Sequence, residues 1–185
     1  CIVITNLMGY LRFLSFMKVY ENSILSLKNG DIIEPAILTE KLVSLGYSRD
    51  TLVNKTGEFG VRGFVIDIFP IDEEYPLRIE FFDDEIESIR CFDPDTQKSI
   101  SSVEKIFIKP FSEFLTINKV SDDEAGKQKY LPNYENVVSI SNYLDNSIVF
   151  FKDYEQLKLS YINIMDEVSE YKIEKDKNFE KDYML

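Results

Sequence analysis

The chain has 185 residues, 44% hydrophobic and 29% charged, with a formal net charge of −12. That is enough apolar material for one core or two small ones, and so acidic a surface repels phosphate backbones, which argues against autonomous nucleic-acid binding. It contains no histidine, and Cys1 and Cys91 stand far apart, so zinc-finger and zincin patterns and any histidine-based triad are excluded. No apolar run approaches the ~18 residues of a membrane span; together with the sparse cysteines this points to a soluble, cytoplasmic protein with no membrane partner.

The opening run from Cys1 to Thr5 reads as a buried strand cut into at its edge, and so as the start of a fragment of a longer protein. It has neither an initiator methionine nor the charged lead-in of a signal peptide. Within it Ile2–Thr5 is a short strand candidate, and the apolar stretch from Leu7 to Phe16 is a short helix candidate. A second strand is expected at Ile24–Leu27, ended by the turn dipeptide Asn29-Gly30. Next, Ile37, Leu38, Lys41, Leu42 and Leu45 fall at helical spacing, with Pro35 suited to the first turn and Gly46 placed where a helix commonly stops.

From Gly57 to Pro110 the hydrophobic period changes to two. Phe59–Phe69, Leu77–Phe82, Glu85–Phe92 and Val103–Ile108 are consecutive strand candidates with short links, and Asp83-Asp84 reads as a two-residue hairpin turn. Such connections imply an antiparallel sheet with the preceding helix packed on one side, a compact α+β domain. After Pro110 a polar loop runs from Thr116 to Lys129. Val137–Ile140 and Ser147–Phe151 look like buried strands, and a long amphipathic helix begins near Tyr154 with Leu157, Tyr161, Ile164, Val168 and Tyr171 on one stripe. Asp153 is a candidate N-cap, with Gln156 three residues on. The tail from Glu174 is highly charged and expected to fray.

The glycines of GEFGVRG do not form a phosphate cradle, which needs a helix N-terminus behind it; here they lead into the strand FVIDIF. They read instead as sites of bulges or close backbone approach. The acids Asp83, Asp84, Glu85 and Glu87 read as a solvated hairpin tip, since paired-carboxylate catalysis requires environments that separate the two pKa values. No nucleophile–base pair is legible, and no catalytic residue is assigned.

The five arginines are more informative. Arg62 and Arg78 stand on neighbouring strand candidates. If Asp83-Asp84 is the turn, Phe82 opposes Glu85, Glu80 opposes Glu87 and Arg78 opposes Ile89, leaving a mildly destabilising like-charge pair that Arg78 would neutralise. The other role for Arg78 is contact with a partner. In LRIEFF, Leu77, Ile79 and Phe81 alternate onto one face, which leaves Phe82 facing outward beside Arg78. An exposed aromatic next to an arginine is typical of an interface hot spot, and burying Phe82 against nothing has no structural benefit.

The segments GEFGVRGFVIDIFP and PLRIEFFDDEIESIRCFDPDTQKS resemble the interaction domain shared by the transcription-repair coupling factors (Mfd) and the excision-repair helicase UvrB. FDPDTQKS and the lead-in Leu25–Tyr47, ending in SLGY, favour the coupling-factor branch. The match covers about Leu25 to Pro110. SNYLDNSIVFFKDYEQL resembles, more loosely, a decayed helicase-like half-domain in which Lys152-Asp153-Tyr154 takes the place of a Walker B remnant. Lysine there would repel Mg²⁺, and the chain has no Walker A sequence, so the resemblance implies no nucleotide hydrolysis by this segment and no cofactor within it.

The implied organisation is residues 1–23 as the end of a degenerate NTPase-like half-domain, 24–109 as the interaction domain and 110–185 as the returning half-domain. The implied fold is an antiparallel sheet with a packing helix, flanked by pieces of the helicase-like α/β half-domain. The implied role is binding of UvrA, which recruits nucleotide excision repair to RNA polymerase stalled at DNA lesions. ATP, Mg²⁺, polymerase and double-stranded DNA would be handled by other domains of an ATP-dependent translocase. The alternative is a UvrB-type helicase subunit. The family's UvrA contacts, two arginines and a phenylalanine, fall on Arg62, Arg78 and Phe82.

Overall fold

The computed structural model describes residues 2–116, 130–144 and 146–175; the expectations for residues 117–129 and for the tail beyond 175 lie outside these. In chain order the elements are α1 (Leu7–Tyr10), β1 (Leu14–Ser15), α2 (Met17–Ser23), β2 (Leu25–Lys28), α3 (Pro35–Ser44) and β3 (Ser48–Arg49). Then come β4 (Glu58–Arg62), β5 (Val65–Ile68), β6 (Leu77–Phe82), β7 (Glu85–Phe92), β8 (Ser99–Val103) and β9 (Lys105–Ile108). After these follow α4 (Leu131–Tyr134), β10 (Val137–Val138), a 3-10 turn at Ile140–Tyr143 and α5 (Tyr154–Lys175).

Strands β3 to β8 form one six-stranded sheet in sequence order. It is antiparallel throughout except for the short parallel pairing of β3 with β4. Its inner face carries Phe59, Ile66, Ile79 and Ile89, and α3 lies against it through Leu38 and Leu42, none of them exposed. Burial of each such side chain contributes about 1.5–3 kcal/mol relative to leaving it in water. The spacing of Leu38 and Leu42, four residues apart, puts both on the covered stripe of α3. At its end Gly46 adopts φ +91, its N–H donates to Val43 at 2.9 Å, and the Tyr47 N–H donates to Leu42 at 3.0 Å. This is a Schellman stop, and Tyr47 joins Leu42 in the core beyond it.

The remaining strands pair outside this sheet. β2 runs antiparallel to β9, extending the core with Leu27, Ile106 and Ile108, and β1 pairs with β10 across more than a hundred residues. Asp153 caps α5, accepting the Gln156 N–H at 3.2 Å, and Leu157, Ile164 and Val168 form a half-buried stripe along it.

Several expectations are corrected. Ile2–Thr5 is not a strand, and Ile2 and Ile4 are almost fully exposed. The single strand expected over Phe59–Phe69 is a hairpin that turns at Gly63-Phe64, where Gly63 takes φ +60, a left-handed conformation that costs glycine nothing. The Val103–Ile108 run divides at Glu104: β8 ends in the main sheet and β9 departs to pair with β2. Ser147–Phe151 is not a strand, and Ile148 and Phe150 are exposed; apolar composition alone did not supply a pairing partner.

A candidate protein-binding face on the sheet

The outer face of the six-stranded sheet holds the three residues singled out from the sequence. On β6, Leu77, Ile79 and Phe81 point into the core while Arg78, Glu80 and Phe82 point away from it. Phe81 is buried, and Phe82, the next residue, is 74% exposed. It ends β6 opposite Glu85, across the two-residue turn at Asp83-Asp84, with Asp83 in the left-handed region at φ 55.

The register beyond that pair differs from the expected one. Phe81 opposes Ile86, but Glu80 opposes Ser88 and Arg78 opposes Arg90. Glu87 is therefore the extra residue of a β-bulge, which shifts every later pair by one. The like-charge contact between Glu80 and Glu87 does not form. Glu80 instead accepts from the Ser88 hydroxyl at 2.9 Å and from the Arg90 guanidinium. Arg90 holds the Glu80 carboxyl below the usual glutamate range, with Ser88 adding to the effect.

Arg78 has a different partner from the one expected. Directly across from it on β5 stands Asp67, a nearly buried carboxylate. Arg78 donates to it as a fork, Nε to Oδ1 at 2.7 Å and Nη2 to Oδ2 at 2.9 Å, the bidentate arrangement that suits guanidinium and carboxylate. Two longer bonds, 3.4 and 3.3 Å, run to the Gln97 carbonyl and side-chain oxygens. The guanidinium carbon lies 4.5 Å from the centre of the Phe92 ring. Asp67 raises the Arg78 pKa further above its ordinary value, in spite of burial.

Arg62, paired across the hairpin with Val65, reaches diagonally to the same Asp67 Oδ2. The structure thus brings Arg62 and Arg78 together on one carboxylate, with Phe82 about 13 Å farther along β6. Their availability differs: the Arg62 side chain is 52% exposed and the Arg78 side chain 16%. Half of Arg62 remains open to a partner, whereas most of Arg78 is committed inside the chain.

Asp67 is the residue that sequence reasoning missed. It is the single charge in VIDI, and a lone acid between isoleucines on a central strand requires cationic partners on the neighbouring strands. That signal was present in the sequence. Phe92, Gln97 and the Arg90–Glu80 pair were not legible, because the bulge decides which of them face each other.

A family model described as the UvrB interaction domain matches residues 25–114. The transcription-repair-coupling factor of Bacillus subtilis (strain 168) is 40% identical over 114 residues, which is 62% of this chain and 10% of the relative. That of Staphylococcus aureus (strain USA300) is 36% identical over 157 residues, 82% of this chain and 13% of the relative. The chain therefore spans roughly a tenth of the length of these curated relatives. The α+β fold with its antiparallel sheet agrees with this match. Residues 25–114 accordingly belong to the UvrB interaction domain family, in a chain that is otherwise similar to transcription-repair-coupling factors.

Proposed function

We propose that the outer sheet face is a protein-docking surface for UvrA, and that the chain acts within a coupling factor that brings nucleotide excision repair to RNA polymerase stalled at DNA lesions. The observation that carries this reading is Phe82: a large aromatic, 74% exposed, on the same face as two arginines that share one carboxylate. An apolar anchor beside fixed cations is the usual composition of an interface hot spot. Phe82 fills an apolar pocket on the partner, and Arg62 offers its remaining donors to a partner carboxylate. Arg78 keeps that cationic patch in place and contributes the part of its guanidinium that remains open.

In this reading the chain is a binding module without a catalytic group, cofactor or metal of its own. ATP hydrolysis with Mg²⁺, polymerase contact and translocation on double-stranded DNA belong to other domains of the protein, in the cytoplasm. Among the described residues no helix is long and apolar enough to cross a membrane. A pull-down of UvrA by the chain tests the reading, with Arg62→Ala, Arg78→Ala and Phe82→Ala as comparisons. Wild-type capture and clear loss with Phe82→Ala are expected; equal capture by all four proteins would overturn it.

A further inference from the structure

The three most exposed large apolar side chains within residues 25–114 are Ile32 at 81%, Phe82 at 74% and Phe64 at 61%. They lie at one end of the sheet. The loop after β2 attaches there as a short extra strand. The Ile33 N–H donates to Asp84 at 2.8 Å, the Ile86 N–H to Asp31 at 2.9 Å and the Gly30 N–H to Ile86 at 2.8 Å. Ile32 forms an antiparallel bridge with Glu85, which itself opposes Phe82. Residues in register share a face of a sheet, so Phe82, Glu85 and Ile32 form one row, with Ile32 two strand spacings, about 10 Å, from Phe82. On the other side, the Phe81 N–H donates to the Phe64 carbonyl at 2.8 Å, which continues the pairing of Val65 with Glu80 and sets Phe64 in register with Phe81 rather than Phe82, outside this row.

Ile32 has no structural reason to be apolar. Ile33 packs against the core from this loop, while Ile32 points away from it. Large exposed apolar groups gathered in one place mark an interaction site.

We propose that Ile32 and Phe82 form one contact row, and that its occupant is a protein surface with an apolar cleft bordered by lysines or arginines. The charge around the row specifies that border: Asp83, Glu85 and Glu87 are exposed at the hairpin tip, in a chain whose net charge is −12. A second copy of the chain would set acid against acid and is disfavoured. Arg62, half exposed, is the exception and calls for a carboxylate at that edge of the cleft. The inference rests on the docking face proposed above and extends it across the hairpin to Ile32, outside the Arg62–Arg78–Phe82 set.

The test is titration of UvrA against the 185-residue chain, its Phe82→Ala variant and its Ile32→Ala variant. Both side chains are exposed, so the unfolding midpoints should match the wild type. A loss of about 30-fold with Phe82→Ala and about 5-fold or more with Ile32→Ala is expected for an anchor and one flanking contact. Loss with Phe82→Ala and unchanged affinity with Ile32→Ala would overturn the extended row and leave the docking face standing. Unchanged affinity in both variants would overturn the docking face and the row with it.

Discussion

Asp67→Asn is the most informative single change to the scaffold of the face. The carboxylate is nearly buried, accepts two short bonds from Arg78 and is also shared by Arg62. Asparagine keeps the shape but turns one acceptor into an N–H group aimed at a guanidinium that can only donate. Each hydrogen bond to a charged group contributes ~1.5–3 kcal/mol, and removing one partner of a buried ion pair costs ~3–5 kcal/mol. The Arg62 share is small because that side chain is half exposed, and Gln97 and Phe92 still hold Arg78. The lower end, about 3 kcal/mol, is therefore expected. With a urea slope of about 1–2 kcal/mol/M the midpoint falls by about 1.5–3 M. Asp67→Leu combined with Arg78→Met should lose less than Asp67→Asn alone, because no charge is left unpaired against an apolar strand. A loss below about 1 kcal/mol for Asp67→Asn would show that water, not this carboxylate, satisfies the arginines.

Further outcomes follow from the same geometry. Arg90 lowers the folded pKa of Glu80, so its stabilisation is present above the unfolded glutamate value, about 4.3, and is lost as pH falls through the folded value. Glu80→Gln should therefore be less stable than wild type at pH 7, by about 1 kcal/mol for a pair whose side chains are still about a third exposed, with the gap closing below pH ~4; a constant gap would contradict the assignment. Burial pushes Tyr47 up to about 12, and its hydroxyl donates to the Lys109 carbonyl at 2.8 Å. That stabilisation is complete below the unfolded tyrosine pKa of about 10 and is lost as pH rises through about 12. Tyr47→Phe should flatten the alkaline unfolding limb, and an unaltered limb would argue against it. A Cβ on Gly46 would meet the Ser112 backbone nitrogen at 2.8 Å, whereas one on Gly63 meets nothing within 4 Å. Both have positive φ, so Gly63→Ala should cost ~1 kcal/mol and Gly46→Ala substantially more by thermal unfolding; equal losses would refute the close approach.

The parts of the fold legible in the sequence are those set by short-range periodicity. Leu38 and Leu42 with Gly46 marked α3 and its end, and the alternation through LRIEFF placed Phe81 inside and Phe82 outside, as found. What failed depended on distant partners. β8 was missed because SISSV has no period-two core pattern: Ser101 and Val103 face inward, and Ile100 is exposed. Strand β9 left the main sheet because β2, some 80 residues earlier, was free to pair with it. The bulge at Glu87 redirected Glu80 to Ser88 and Arg90, and no residue in ESIR announces it. For the face itself, alternation located Phe82, but the charge partners of Arg62 and Arg78 required the register of β5 against β6.

The central claim is that the exposed Phe82 side chain is an anchor for UvrA. Its direct measurement is the affinity of UvrA for the wild-type chain and for Phe82→Ala, with the urea midpoint of each taken on the same preparation. A residue 74% exposed holds little of the fold together, so the two midpoints should agree while the dissociation constant rises at least about 30-fold. Equal dissociation constants for two equally folded proteins would contradict the claim.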